Sequence, residues 1–245
     1  MSLSRREVLK AAMHCGAVAP AVLGLDGVLS AVVGPATASA QPLGILLDYA
    51  AGVIKAADIR ASGAAGAIRY VSDRRPDGGW MLGKPIQLPE ARDLYQNGLK
   101  IVSCYQYGKQ ETADWLGGQN AGVFHAKRGW QLHVAAGGSY GAPIYASIDD
   151  DPSYAQYKQQ VAPYLRGWEA VLGHQRVGVY ANAPTIDWAL QDGLGSYFWQ
   201  HDWGTPKGFV HPAANLHQIS IDKHDVAGVG VDVNHVLKPR FGQWD

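Results

Sequence analysis

The sequence predicts an α/β fold, a single-domain (β/α)8 barrel of the TIM type, from two observations. Eight short runs rich in β-formers alternate with mostly helical connections, without internal repeat or linker. That rhythm predicts a parallel sheet, and the strand count predicts closure. The fourth run, Pro143 to Asp149, then breaks off in three carboxylates, Asp149-Asp150-Asp151, just before Pro152-Ser153 opens a helix-like stretch. Acids at the C-terminal end of a strand sit where α/β folds build their sites.

Gly44 to Asp48 reads as the first strand and Lys55 to Ala61 as a short helix. Gly66 to Val71 is the second strand, followed by a Pro/Gly-rich loop around Pro76-Asp77-Gly78-Gly79. A helix opens at Pro89, since proline suits the first helical turn. Leu99 to Tyr105 is the third strand, and a helix runs from about Gly117 to Ala136. After the fourth strand, Tyr157, Val161, Tyr164, Leu165 and Trp168 recur at helical spacing over Pro152 to Leu172, with Gly173 as C-cap. Arg176 to Tyr180 is the fifth strand and Pro184 to Leu190 a helix. Ser196 to Gln200, Leu216 to Ile219 and Val229 to Asp232 complete the eight strands, with thin helical links between them.

On this reading Asp48, Tyr105, Asp149, Tyr180, Gln200, Gln218 and Asp232 all end strands at one mouth. Acids, phenols and amides together suit a sugar-binding or sugar-hydrolysing cleft, where one protonated and one ionised carboxyl cleave a glycosidic bond. Crowded carboxylates cost Coulomb energy unless one holds a proton or binds a cation. Asp150 and Asp151 also suit a helix N-cap, a reading that leaves Asp149 unexplained. Adjacent Asp149 and Asp150 alternate faces in an extended strand, so one points inward and the other toward the helix.

Ser4-Arg5-Arg6-Glu7-Val8-Leu9-Lys10 is a twin-arginine export pattern, and the weakly apolar region after it ends at Ala38-Ser39-Ala40, a small-x-small cleavage site. Residues 1–40 are therefore expected to be a signal peptide and 43–245 the barrel domain, acting outside the cytoplasmic membrane with no integral span after cleavage. The chain has 21 basic and 21 acidic residues, so no basic surplus points to nucleic acid or anionic lipid. Only Cys104 survives cleavage, which rules out an intramolecular disulfide and suggests a buried, inert thiol. Gly137-Gly138-Ser139-Tyr140-Gly141 has the letters of a nucleophile elbow but follows a helix and precedes a strand, so it reads as a turn. His201, His211, His217, His224 and His235 lack metal-ligand spacing and read as loop or surface residues. With no phosphate-cradling loop either, neither a metal nor a cofactor is expected.

Leu47-Asp48-Tyr49, Ile144 to Asp150, Gly178-Val179-Tyr180, Trp199-Gln200, His217-Gln218 and Val231-Asp232-Val233-Asn234 occur in an order that resembles the lysozyme-type glycoside hydrolases of family 25. The chain more closely resembles the twin-arginine-exported mycobacterial proteins with a glycoside-hydrolase-like domain, once called domain of unknown function 1906. The resemblance spans residues 43–245 and implies a (β/α)8-like barrel, with cell-envelope glycan as partner and peptidoglycan cleavage as the activity. Taken with the strand-end reading, it leaves Asp48, Asp149, Asp150, Asp151 and Asp232 as candidate catalytic acids, and Tyr105, Tyr180, Trp199, Gln200 and Gln218 as candidate substrate contacts. Family 25 has an Asp-x-Glu motif on strand four, with the Glu as general acid. Here Asp151 falls at the Glu position, one methylene shorter. Of the remaining glutamates, Glu90 and Glu169 read as outer-helix residues and Glu111 as a solvated loop acid. Two functions follow as expectations. One is a hydrolase of envelope glycan with Asp149 and Asp150 or Asp151 as its acid pair; the other is a barrel that binds glycan, or scaffolds envelope enzymes, with slow or no hydrolysis.

Overall fold

The computed structural model describes residues 41–244, so the twin-arginine segment and its cleavage site lie outside the described residues. Eight strands, β1 (Gly44–Asp48), β2 (Gly66–Tyr70), β3 (Lys100–Tyr105), β4 (Ile144–Ser147), β5 (Val177–Ala181), β6 (Tyr197–Gln200), β7 (Leu216–Val226) and β8 (Val229–Val236), follow one another around a closed barrel. Between the early strands lie α1 (Ala56–Ala61), α2 (Leu88–Gln96) and α3 (Gly118–Ala135). After β4 come α4 (Tyr154–Gln156), a π-helical turn (Tyr157–Val161) and α5 (Ala162–Leu172), and after β5 comes α6 (Ala183–Gln191). Ser153, not an aspartate, caps α4, through a capping box with Gln156.

From β1 to β7 each strand pairs parallel with the next, but β8 runs antiparallel to both β7 and β1. The barrel is closed as expected, yet its sheet is mixed rather than all parallel. Residues 201–215 join β6 to β7 without a helix, and β7 returns into β8 through a two-residue hairpin. Ala227 and Gly228 both take positive φ, 53° and 81°, as a type I′ turn requires, with Val226 paired to Val229. Asp225 steadies the turn by accepting from the Gly228 N–H at 2.8 Å. The left-handed conformation costs an alanine roughly 1 kcal/mol. Asn tolerates that region better, so Ala227→Asn is expected to raise the urea midpoint by a corresponding amount. A lower midpoint would contradict this hairpin geometry.

Side chains divide by strand parity. Leu46, Ile68, Val102, Tyr145, Trp199 and Leu216 form one cluster, which fills the barrel interior. Residues of opposite parity, such as Leu47, Ile101, Val179 and Phe198, pack instead with Ile59, Leu94, Trp168 and Ile186 of the surrounding helices. Gly178 makes room for the Tyr145 ring, since a Cβ there would lie 2.6 Å from it. The Tyr145 hydroxyl donates to the Phe241 carbonyl at 2.9 Å, tying the C-terminal segment to the interior.

Glu90 sits on outer helix α2 but is buried, because Arg69 of β2 points outward into it. Arg69 is 0% exposed, donates to both Glu90 oxygens, and also donates to the carbonyls of Tyr49 and Gly83. One guanidinium thus fastens the loops after β1 and β2 together. Among the described residues no helix is long and apolar enough to cross a membrane.

Candidate active site

Parity carries the side chains of one strand face into a cleft at the C-terminal end of the parallel strands. It has a volume of about 340 Å³, within the range of small-ligand sites. Asp48, Asp149 and Asp232 line it together. Asp48 ends β1 and Asp149 continues the inward series Tyr145, Ser147 beyond β4. Asp232 does not end a strand. It lies inside β8 and reaches the cleft because the antiparallel register sets it directly opposite Asp48.

Asp48 is the floor of the cleft. Its Oδ2 accepts from Asn234 at 2.7 Å and Gln218 at 3.3 Å, and its Oδ1 from the Tyr70 hydroxyl at 3.4 Å. Burial pushes its carboxyl up to about 6, outweighing these donors, and the nearby Asp149 charge adds to the rise. Asp149 is more accessible and is ringed by donors. Its Oδ1 accepts from Trp203 Nε1 at 3.1 Å and lies 3.5 Å from the Tyr180 hydroxyl oxygen. Its Oδ2 accepts from Gln106 at 3.0 Å and faces Lys109 Nζ at 3.5 Å. Gln218 links the acids by donating to both Asp48 and Asp232 (3.2 Å) while accepting from Tyr180 at 2.6 Å. Trp199 lines the cleft and holds Asn234 in place through a 2.8 Å hydrogen bond.

Four expected site residues lie elsewhere. Tyr105 ends β3, but its parity points outward, and its hydroxyl meets His125 under the helices. Gln200 also points outward; it braces the following loop through the Phe209 carbonyl and the His211 N–H. Asp150 turns away from Asp149 to accept from Trp115 Nε1 at 3.1 Å, and burial raises its pKa. Asp151, at the position matching the family's glutamate, is exposed outside the cleft and is held by Asn182 at 2.8 Å. The missing methylene at that position therefore does not limit chemistry in the cleft. Glu111 is exposed in a 3-10 turn.

The late histidines are not all superficial. His201 is fully buried, meeting the Ile148 carbonyl through Nε2 and the Trp203 N–H through Nδ1. Burial lowers its pKa and favours the neutral ring that both bonds require. His211 is also buried, 3.0 Å from Asp187. Cys104 lines the cleft beside Ser147, and burial pushes its thiol up to about 12, as an inert cysteine requires. Among the described residues no cluster of acids, histidines and cysteines has the arrangement of a metal site.

The sequence did not mark Tyr70, Lys84, Gln106 or Trp203, and it offered Asn234 only within a motif, without a role. Tyr70 follows Ile68 by two residues on an inward face, and Asn234 follows Asp232 likewise, so parity was a usable signal for both. Lys84, Gln106 and Trp203 lie in loops, where no periodicity exists to read.

A closed barrel with a buried, raised-pKa aspartate and a donor-ringed second aspartate in one cleft has the architecture of a glycoside-hydrolase-like domain. The chain belongs to the Rv2525c-like, glycoside hydrolase-like domain family, whose model matches residues 57–236. It is 71% identical over 244 residues to a Mycobacterium tuberculosis (strain H37Rv) protein named "Putative peptidoglycan hydrolase Rv2525c", covering 100% of both chains. A crystal structure of the M. tuberculosis Tat-secreted protein Rv2525c with L-tartrate matches with 75% identity and a TM-score of 0.82, over 83% of this chain and 100% of that one. The bacterial lysozyme of Streptomyces coelicolor shares the fold, at 18% identity and a TM-score of 0.52, over 80% of this chain and 92% of that one.

Proposed function

We propose that this protein is an exported hydrolase of peptidoglycan-like envelope glycan, with Asp48 and Asp149 as its acid pair. The observation that carries the reading is the contrast between two carboxyls in one cleft. Burial pushes the Asp48 carboxyl up to about 6, whereas Asp149 is only partly buried and surrounded by donors. Such a divergence of environments separates a general acid from its partner carboxylate. Asp48 delivers its proton to the glycosidic oxygen from the floor. Asp149 faces the sugar carbon where positive charge develops. Gln218 and Asn234 hold Asp48, and His201 holds Trp203, whose indole N–H in turn orients Asp149.

Binding precedes this chemistry. Trp80 and Trp203 line the cleft yet stay 58% and 47% exposed, which leaves ring faces free to stack on sugars. The early strands keep the (β/α)8 pattern, and we read the β7–β8 hairpin as an elaboration of that fold that adds a wall to the groove. Its Ile221 and Gly230 reach the cleft lining.

The protein is exported by the twin-arginine route and acts outside the cytoplasmic membrane, in keeping with its Tat-secreted relative. We assign residues 1–40 as the signal segment and 43–245 as the working domain. Replacing Arg5 and Arg6 by lysine should retain uncleaved precursor in the cell; unchanged export would refute the assignment. For the activity, the mature domain should release reducing ends from peptidoglycan and Asp149→Asn should not, while calorimetry shows that the variant still binds glycan strands. Equal turnover by the variant would remove Asp149 from the mechanism.

A further inference from the structure

The acid pair leaves a buried cation, and a second cation with only a loose partner, in the same cleft. Lys84, in the loop before α2, is only 4% exposed. Its ammonium donates to the Gln106 carbonyl at 2.7 Å and lies 4.1 Å from the centre of the Tyr70 ring. Among the described residues no carboxylate comes within 4.0 Å of it, and an ammonium with three donors keeps two to offer. Arg75 lines the same cleft. Its Nε is buried without a hydrogen bond, and its one ion pair is a loose one with the exposed Asp77 at 3.5 Å. Burial disfavours the charge on Lys84, and the positive charges of Arg75 and Arg69 add to this while Asp114 opposes it. An ammonium taken from water, as Lys84 is, costs free energy unless an anion joins it.

We propose that Lys84 and Arg75 form a subsite for a carboxylate, so that the cleft takes a glycan whose sugar bears a free carboxyl group beside the bond handled by Asp48 and Asp149. The proposal rests on the glycan reading above and narrows it, from envelope glycan in general to strands whose acidic substituents are unblocked. A singly charged carboxylate suits this place better than a phosphate dianion, which Asp48, Asp149 and Asp232 would repel more strongly. Carboxylate recognition also matches the donors on offer, a point-charge ammonium and a guanidinium edge.

The test is calorimetry of the mature protein at pH 7 with three probes. These are a tetrasaccharide alternating N-acetylglucosamine and N-acetylmuramic acid with free lactyl carboxylates, its methyl ester, and chitotetraose. The acid form should bind about tenfold or more tighter than the ester, the scale of one charge-assisted contact. Lys84→Met should erase that preference, so that acid and ester bind the variant equally, and Arg75→Gln should reduce it. If Lys84→Met does not fold, the native protein supplies the same test through pH. Burial lowers the Lys84 ammonium to about 8, so the preference for the acid should fade as pH rises through that value. The groups that face Lys84 and share in this titration are Tyr70 on β2, Cys104 on β3, and Asp114, Arg69 and Arg75 around them. Equal binding of acid and ester would overturn the subsite and leave the glycan reading intact. Failure of all three probes to bind would overturn the glycan reading and the subsite with it. Stronger competition by inorganic phosphate than by acetate would overturn the choice of carboxylate.

Discussion

Asp48→Asn is expected to make the protein more stable at pH 7, by up to about 3 kcal/mol, while abolishing turnover. Burial raises the Asp48 carboxyl from 3.8 to about 6. Each unit of such a shift is worth about 1.4 kcal/mol. The folded state therefore binds a proton more tightly than the unfolded chain. The stability this proton contributes is fully present below pH 3.8 and is lost as pH rises through about 6. At pH 7 a buried charge remains, and asparagine removes it. The replacement also fits the local hydrogen bonds: its carbonyl can accept from Asn234 and Gln218, as Oδ2 does, while its amide faces the Tyr70 hydroxyl. Urea titrations at pH 4 and pH 7 check this, with the variant gaining at pH 7 and little at pH 4. A loss of stability at both would mean that Asp48 is held as a structural anion and not as a poised acid.

Glu90→Gln is expected to cost roughly 3–5 kcal/mol, because it leaves the Arg69 guanidinium buried without its counter-charge. For a domain of this size that corresponds to a fall in Tm on the order of 10 °C. Arg69 stacks over the Tyr49 ring with its guanidinium carbon 3.9 Å from the ring centre, and its two carbonyl contacts span Tyr49 and Gly83. Loosening it therefore frees both loops that carry Tyr49, Met81 and Lys84 to the cleft, so glycan affinity should fall together with Tm. The double replacement Arg69→Met with Glu90→Leu separates the two effects. It removes both charges and should recover most of the stability, but it leaves those carbonyls untied and should not recover affinity. Recovery of both by the double variant would show that the ion pair is a stability device alone.

Much of the barrel was legible because each early strand is a short apolar run bounded by glycine, proline or an acid, followed by a helix with its own start signal. The direction of β8 was not, since an Ala-Gly pair at residues 227–228 carries little of the hairpin signal that Asn-Gly would. Within the site, Asp48 and Asp149 were visible as acids that end apolar runs. Tyr105 and Gln200 also end their strands, yet they face outward, because position along a strand does not settle which face a residue takes; a shift of one residue reverses it. The Arg69–Glu90 pair was hidden for another reason. An acid in the first turn of α2 suits the helix dipole, so nothing in the sequence marked Glu90 as the partner of a buried cation 21 residues away.

The most direct test of the account is the pH dependence of kcat/KM for reducing-end release from peptidoglycan strands, read as the profile of the free enzyme. If Asp48 must carry a proton, the rate should fall tenfold per pH unit above an apparent pKa of about 6, the value at which the folded-state carboxyl ionises. Asp48→Asn should be inactive across the whole range while still binding glycan. A profile that stays flat through pH 6 to 8, or an Asp48→Asn variant that turns over at the native rate, would contradict the assignment of Asp48 as the proton donor.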